Sequence, residues 1–144
     1  MVAHYLRSLM TEHLHEISLF EGATEVLQEL SSHGLTLALV TSNSEKNARQ
    51  LLGPRAAACF QYFACGTAMF GKASRIKKVL ARSKIPATNT ILVGAEIRDC
   101  EAARASQVAF GAVAWGYNSP DALRTRQPTE FFATMSDIPR VLQA

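Results

Sequence analysis

Three short stretches carry side chains that chemistry can use. "TSNS" (41–44) groups the hydroxyls of Thr41, Ser42 and Ser44 with the amide of Asn43. At the start of a helix, such groups and the backbone N–H donors beside them suit a phosphate or another anion. Taken alone, the same residues serve equally as helix caps. "FGKAS" puts Lys72 at a helix start, where the dipole disfavours a cation. Neutralising a bound anion is one reason for it to be there, and a long stem reaching water is the ordinary one. "GAEIRD" places Glu96 and Asp99 near another helix start, where the dipole favours acids. Two carboxylates in one loop also suit Mg²⁺, which prefers carboxylate oxygens and water. Ala95, straight after Gly94, puts an inert methyl into this acidic loop.

These side chains act together only if the elements around them converge. "EGATEVLQELSSHG" sets Ala23, Val26, Leu27 and Leu30 on one helical face, with Gly34 as the stop. "LTLALV" (35–40) reads as a buried strand, and Ser42 or Ser44 can cap a following helix that Gly53-Pro54 should end. Further strands are predicted over 62–66, 90–94, 108–116 and "TEFFAT". Helices are predicted over 2–16, 72–83, "DCEAARAS", "PDALRTR" and "MSDIPRVLQA". Alternation of this kind predicts an α/β fold, a Rossmann-like parallel sheet with helices on both faces. Ligands of such sheets bind at the carboxyl ends of the strands. The loops after Val40, Cys65, Val93 and Trp115 are therefore where chemistry should sit, and the three stretches lie in the first three of them.

Composition narrows the partners. With 144 residues, 48% hydrophobic and 19% charged, the chain can bury a core. Its net charge of +3 is spread thinly, with Lys77-Lys78 the only adjacent pair of lysines, so nucleic acid is not expected. No apolar run reaches membrane-spanning length and the first residues do not form a signal peptide, so neither membrane nor export is expected. Cys59, Cys65 and Cys100 show no C-x-x-C spacing, which fits a reducing, cytoplasmic setting. Cys100 should pack as a small hydrophobe, Trp115 and Phe131-Phe132 should be core residues, and His13 and His15 make a poor metal pair.

The order "LALVTSN", "FGKASRI", "ILVGAEIRDCEAARAS", "AVAWGYNSPDAL" resembles the haloacid dehalogenase-like (HAD) hydrolases, and within them the phosphoglycolate phosphatase-like group, from about Leu19 to the end. The resemblance implies a Rossmann-like core acting on a small phosphate monoester. It maps the second motif's hydroxyl onto Thr41, with Ser42 and Asn43 beside it on the phosphate. It maps the third motif's lysine onto Lys72. The fourth motif, G-D-x-x-x-D, falls on Gly94, Ala95 and Asp99, which implies Mg²⁺ held by Asp99 with Glu96 as a substitute ligand. In that family an aspartate attacks phosphorus and a neighbouring acid/base activates water against the aspartyl-phosphate.

Two departures bear on activity. The family's D-x-D-G-T motif, which supplies the nucleophile, is absent, and Asp99, Asp121 and Asp137 are the only aspartates. Ala95 stands where the family has a magnesium-ligating Asp, so Mg²⁺ is expected to bind weakly or not at all. Residues 1–18 are expected to be a helix resembling the end of a HAD cap, with the cap otherwise mostly absent. Residues 19–144 are expected to be a HAD-like core without its central, nucleophile-bearing strand. The empty slot implies a fragment or a late start, unless another segment, a partner chain or self-association completes the sheet. The expected function is a phosphatase-type HAD hydrolase, catalytically incomplete. The alternatives are a non-catalytic HAD-fold protein binding a phosphorylated ligand or protein partner, and an unrelated response-regulator-type module.

Overall fold

In the computed structural model, residues 8–11, 22–66, 71–94, 96–113, 125, 127–134 and 137–142 are described. The strands are β1 (Ser8–Thr11), β2 (Thr36–Val40), β3 (Phe60–Ala64), β4 (Thr90–Gly94), β5 (Ala109–Val113) and β6 (Glu130–Phe132). The helices are α1 (Ala23–Ser32), α2 (Glu45–Ala57), α3 (Gly71–Ser83), α4 (Ile97–Ala105) and α5 (Asp137–Leu142). Among the described residues the six strands form one sheet in the order β3-β2-β1-β4-β5-β6, and every neighbouring pair is parallel.

Alternation along the strands divides the core into two layers. Leu37, Leu39, Ile91, Val93, Val113 and Phe132 pack with residues of α1, α2 and α5. Ala38, Val40, Leu92, Phe110 and Ala112 pack with Ile76 and Val79 of α3 and with Cys100, Ala102 and Ala103 of α4. Helices thus cover both faces, which a parallel sheet of near-continuous apolar strands requires. Cys100, 1% exposed, takes its expected place as a small core hydrophobe.

The largest correction falls at the amino end. Residues 8–11, expected within a helix over 2–16, form β1, which pairs with β2 through Ser8↔Thr36 to Thr11↔Leu39 and with β4 through Ser8↔Thr90 to Thr11↔Val93. The slot expected to stand empty is filled by the chain's own residues, and no edge opens beside β2 or β4. "SLMT" carries no strand signal of its own. Pairing on both sides satisfies its main chain, and that tertiary gain overrides local preference.

Smaller corrections concern boundaries. β3 spans Phe60–Ala64 where 62–66 was expected, with a register shift between Leu37 and Ala38. Gln61 stands at that irregularity, and its Oε1 accepts the Leu37 N–H at 2.7 Å. Gly53-Pro54 does not end α2. Gly53 adopts φ 80° and ψ 166°, kinking the helix, and Pro54 opens a second helical piece that runs to Ala57. Proline is tolerated in a first helical turn, so the pair bends the chain without terminating it. Gly34, at φ 87°, ends α1 as expected. The described part of the 108–116 strand is Ala109–Val113, and "TEFFAT" contributes β6. Trp115, His13, His15 and the helix expected over "PDALRTR", apart from Thr125, lie outside the described residues.

Candidate functional site

Thr41 follows β2 at its carboxyl end and is 2% exposed. Its N–H donates to the Ala64 carbonyl at 3.0 Å, which extends the β2–β3 pairing by one rung. Its Oγ1 accepts the Asn43 N–H at 3.1 Å and the Asn43 side-chain amide at 3.4 Å. Accepting twice leaves the hydroxyl proton as what Thr41 has to offer a ligand. The Asn43 carbonyl in turn accepts the Gly66 N–H at 2.8 Å, tying the loop after β2 to the loop after β3. Ser42, Asn43 and Ser44 are exposed. Ser44 is the cap of α2, its Oγ accepting the Asn47 N–H at 3.2 Å, so for this serine capping is the observed role.

Lys72 lies in the first turn of α3 with its side chain 11% exposed, and its Nζ is ion-paired with Asp99 Oδ1. The Asp99 side chain is 1% exposed, and its Oδ2 accepts the Glu96 N–H at 3.0 Å. Glu96 is the N-cap of α4 and closes a capping box with Asp99. Arg98 donates twice to Glu96 Oε2, at 3.1 and 2.7 Å. Gly94 makes room for this group. A Cβ built on it would lie 2.7 Å from the Asp99 Cβ and 2.6 Å from its Cγ, closer than real side chains approach.

Two hydrogen-bonded groups therefore meet the carboxyl end of the sheet: Thr41, Asn43 and Gly66 after β2 and β3, and Lys72, Asp99, Glu96 and Arg98 at α3 and after β4. In the second, the Lys72 ammonium turns inward to a buried carboxylate and does not snorkel to water. Spacing did not reveal Arg98. Glu96 has φ −121° and ψ 151°, outside the helix, so the helical rule that keeps residues two apart from meeting does not apply to it.

The same contacts test the implied Mg²⁺. One Asp99 oxygen faces an ammonium and the other an amide, while Glu96 is held by a guanidinium and its capping box. Among the described residues no cluster of three or more His, Cys, Asp or Glu is placed to hold a metal ion. Ala95 lies outside the described residues, and its methyl offers no ligand. Mg²⁺ demands several oxygens in near-octahedral array. The described carboxylates, both already neutralised by cations, do not fit that demand, so no chemistry is routed through a metal here.

Cys59 and Cys65 are held as thiols. Burial raises the Cys59 thiol above its ordinary value against the opposing pull of Arg55. Burial and then Glu45 raise Cys65, with Arg49 and Arg75 opposing. Both stay protonated near neutral pH.

A parallel sheet with helices on both faces, and with hydroxyl, lysine and carboxylate brought to its strand ends and loops, defines a Rossmann-like α/β domain. The chain belongs to the haloacid dehalogenase-like hydrolases, whose family model matches residues 1–113. It is 31% identical to a phosphoglycolate phosphatase from Synechococcus elongatus over 123 residues, which is 85% of this chain and 58% of that protein. It is 29% identical to a 5'-nucleotidase from Pseudomonas aeruginosa over 149 aligned residues, 99% of this chain and 66% of that protein. The chain thus spans less than two thirds of the length of either relative. Among solved structures, a haloacid dehalogenase-like family hydrolase from Streptococcus pneumoniae superposes with a TM-score of 0.78 at 21% identity, covering 88% of this chain and 62% of that one. The core domain of a protein described as a phosphoglycolate phosphatase, from Streptococcus pneumoniae TIGR4, gives 0.71 at 16% identity and covers 96% of both chains. These likenesses show the HAD fold. Among the described residues no helix is long and apolar enough to cross a membrane.

Proposed function

We propose that this chain is a phosphatase-type HAD core, of the phosphoglycolate phosphatase-like group, that binds a small phosphate monoester and is catalytically incomplete. Thr41 donates its hydroxyl proton to a phosphoryl oxygen, Ser42 and Asn43 offer exposed donors beside it, and Lys72 supplies positive charge. The observation that carries this reading is the buried Lys72–Asp99 pair, a cation held at a helix start where the dipole disfavours it. The relatives support the substrate class, because both printed activities, phosphoglycolate phosphatase and 5'-nucleotidase, remove phosphate from a small molecule.

Incompleteness rests on the carboxylates. β1, in the central slot, has the residues Ser8, Leu9, Met10 and Thr11, none of them acidic. Asp99, the aspartate at the site, has both oxygens engaged. Attack on phosphorus needs a carboxylate oxygen that can reach it, and the Asp99 side chain is 1% exposed and turned to Lys72 and the Glu96 N–H. The second reading, a non-catalytic binder of a phosphorylated ligand, is favoured by the same engagement of Asp99 and Glu96.

Calorimetric titration of the chain with inorganic phosphate, alongside turnover of p-nitrophenyl phosphate in magnesium, tests the proposal. The expected result is saturable binding that Lys72→Met removes, with no turnover. Magnesium-dependent turnover overturns the incompleteness, and binding that survives Lys72→Met overturns the site.

A further inference from the structure

The two hydrogen-bonded groups at the carboxyl end of the sheet are joined through one helix. Lys72, in the first turn of α3, carries the ion pair with Asp99. Arg75 follows three residues later, about 60° around the helix and about 4.5 Å further along its axis. Its Nη1 donates to the Gly66 carbonyl at 3.3 Å. The Gly66 N–H donates to the Asn43 carbonyl at 2.8 Å, and the Asn43 N–H donates to Thr41 Oγ1 at 3.1 Å. Three hydrogen bonds thus run from α3, through the loops after β3 and β2, to the hydroxyl of Thr41.

Each link has a firm footing except the one in the middle. Ile76 and Val79 bury the inward face of α3 against the sheet, and Thr41 extends the β2–β3 pairing. Gly66 has less support, because β3 ends the sheet among the described residues and the loop after it has a strand neighbour on one side only. The chain turns there at φ 86°. Arg75 takes the carbonyl of Gly66 and Asn43 takes its N–H, so the residue is clamped between α3 and the loop after β2. A guanidinium suits the task, since it stays charged at every working pH and a charged donor makes the stronger hydrogen bond.

We propose that Arg75 is a positioning residue of the phosphate site: it clamps Gly66 and, through Asn43, fixes the Thr41 hydroxyl relative to the Lys72 ammonium. One helix then sets both donors against a single phosphoryl group, Lys72 by its own side chain and Thr41 by way of Arg75. The inference rests on the reading of Thr41 and Lys72 as phosphate donors. Arg75 itself does not contact the ligand in this role. Its effect is on the geometry of donors that are otherwise held by separate loops, and a donor displaced from its bound position loses affinity without any change in charge.

The test compares the 144-residue chain with Arg75→Met, Arg75→Lys and Lys78→Met, titrating each with inorganic phosphate by calorimetry and reading amide hydrogen exchange without ligand. Arg75→Met should weaken phosphate binding about tenfold, the order of one lost charge-assisted hydrogen bond. It should also speed exchange at the Gly66 amide while leaving the buried mid-strand residues Leu39 and Leu92 unchanged. Arg75→Lys keeps a donor for the single N–H contact to Gly66 and should recover the affinity to within about threefold. Lys78, exposed and three residues further along α3, controls for charge, and Lys78→Met should change the affinity less than about twofold. If the parent chain binds phosphate and Arg75→Met binds it equally, the positioning role is overturned and the phosphate site stands. Equal losses in Arg75→Met and Lys78→Met overturn the role because charge alone explains them, and so does the absence of recovery in Arg75→Lys. Faster exchange at Leu39 and Leu92 in Arg75→Met overturns it as well, since it marks a general loss of stability. If the parent chain does not bind phosphate, the site is wrong and the role falls with it.

Discussion

At the scale of single residues, the molecule turns on how two buried charges are held. Lys72 and Asp99 sit 11% and 1% exposed, and each is tolerable only because the other is there. Lys72→Met strands a buried carboxylate and should cost about 3–5 kcal/mol, and Asp99→Leu should cost as much by stranding the ammonium. The double variant should be more stable than either single one, because it removes both charges together. Urea unfolding of the four proteins measures the coupling, and additive losses would dismiss it. Gly94→Ala should cost about 1–3 kcal/mol in the same assay, since the new methyl must displace the Asp99 carboxylate. Much of this site was legible in the sequence. Thr41, Lys72, Glu96 and Asp99 stand out because their charge or hydroxyl lies at a helix start next to a strand. The partners were not legible. Nothing in "GAEIRD" says that Asp99 turns to a lysine 27 positions earlier, or that Gly94 must be small for that reason.

Elements were readable where their pattern is local and opaque where it is not. α1, α3 and β4 follow from periodicity, and each lies within a residue or two of its expected span. β1 does not follow, because four residues reading Ser-Leu-Met-Thr become a strand through neighbours far away in sequence. α2 misled because Gly53-Pro54 looks like a terminator, and only the geometry shows a kink. α5 carries a pH-dependent lock at its start. Thr134 donates its N–H to Asp137 at 2.9 Å, Arg140 pairs with the same side chain, and these contacts, led by the Thr134 main chain, hold the Asp137 carboxyl below its ordinary value. A depressed folded pKa stabilises above the unfolded value of about 3.9 and stops doing so as pH falls through the folded one. Asp137→Asn should therefore unfold at lower urea than the parent chain at neutral pH. The difference should persist to about pH 4 and vanish below it. A difference that stays constant down to acid pH would assign Asp137 another role.

For the molecule as a whole, the class of fold was legible because alternating apolar strands and amphipathic helices admit few architectures. The continuity of the sheet was not, since the expectation put a gap at its centre. With β1 in place, the six strands among the described residues make one continuous layer between helices, and unfolding should be a single cooperative transition. Met10→Pro tests this, because proline removes a ladder donor from a strand paired on both sides. Far-UV circular dichroism should show the thermal transition abolished or strongly broadened. An unchanged melt would mean that the sheet does not depend on β1.

β1 also has a bearing on how the molecule comes to be. Ser8 is paired with both Thr36 and Thr90, so its second neighbour follows more than half a chain length later. Contacts of such long range pay a large loop-closure cost before they return any stabilisation. During synthesis β1 must wait for β4 before its second edge is covered. The centre of the sheet is then among the last parts to form, and the nascent chain is open to mispairing at a strand that the folded structure pairs on both sides.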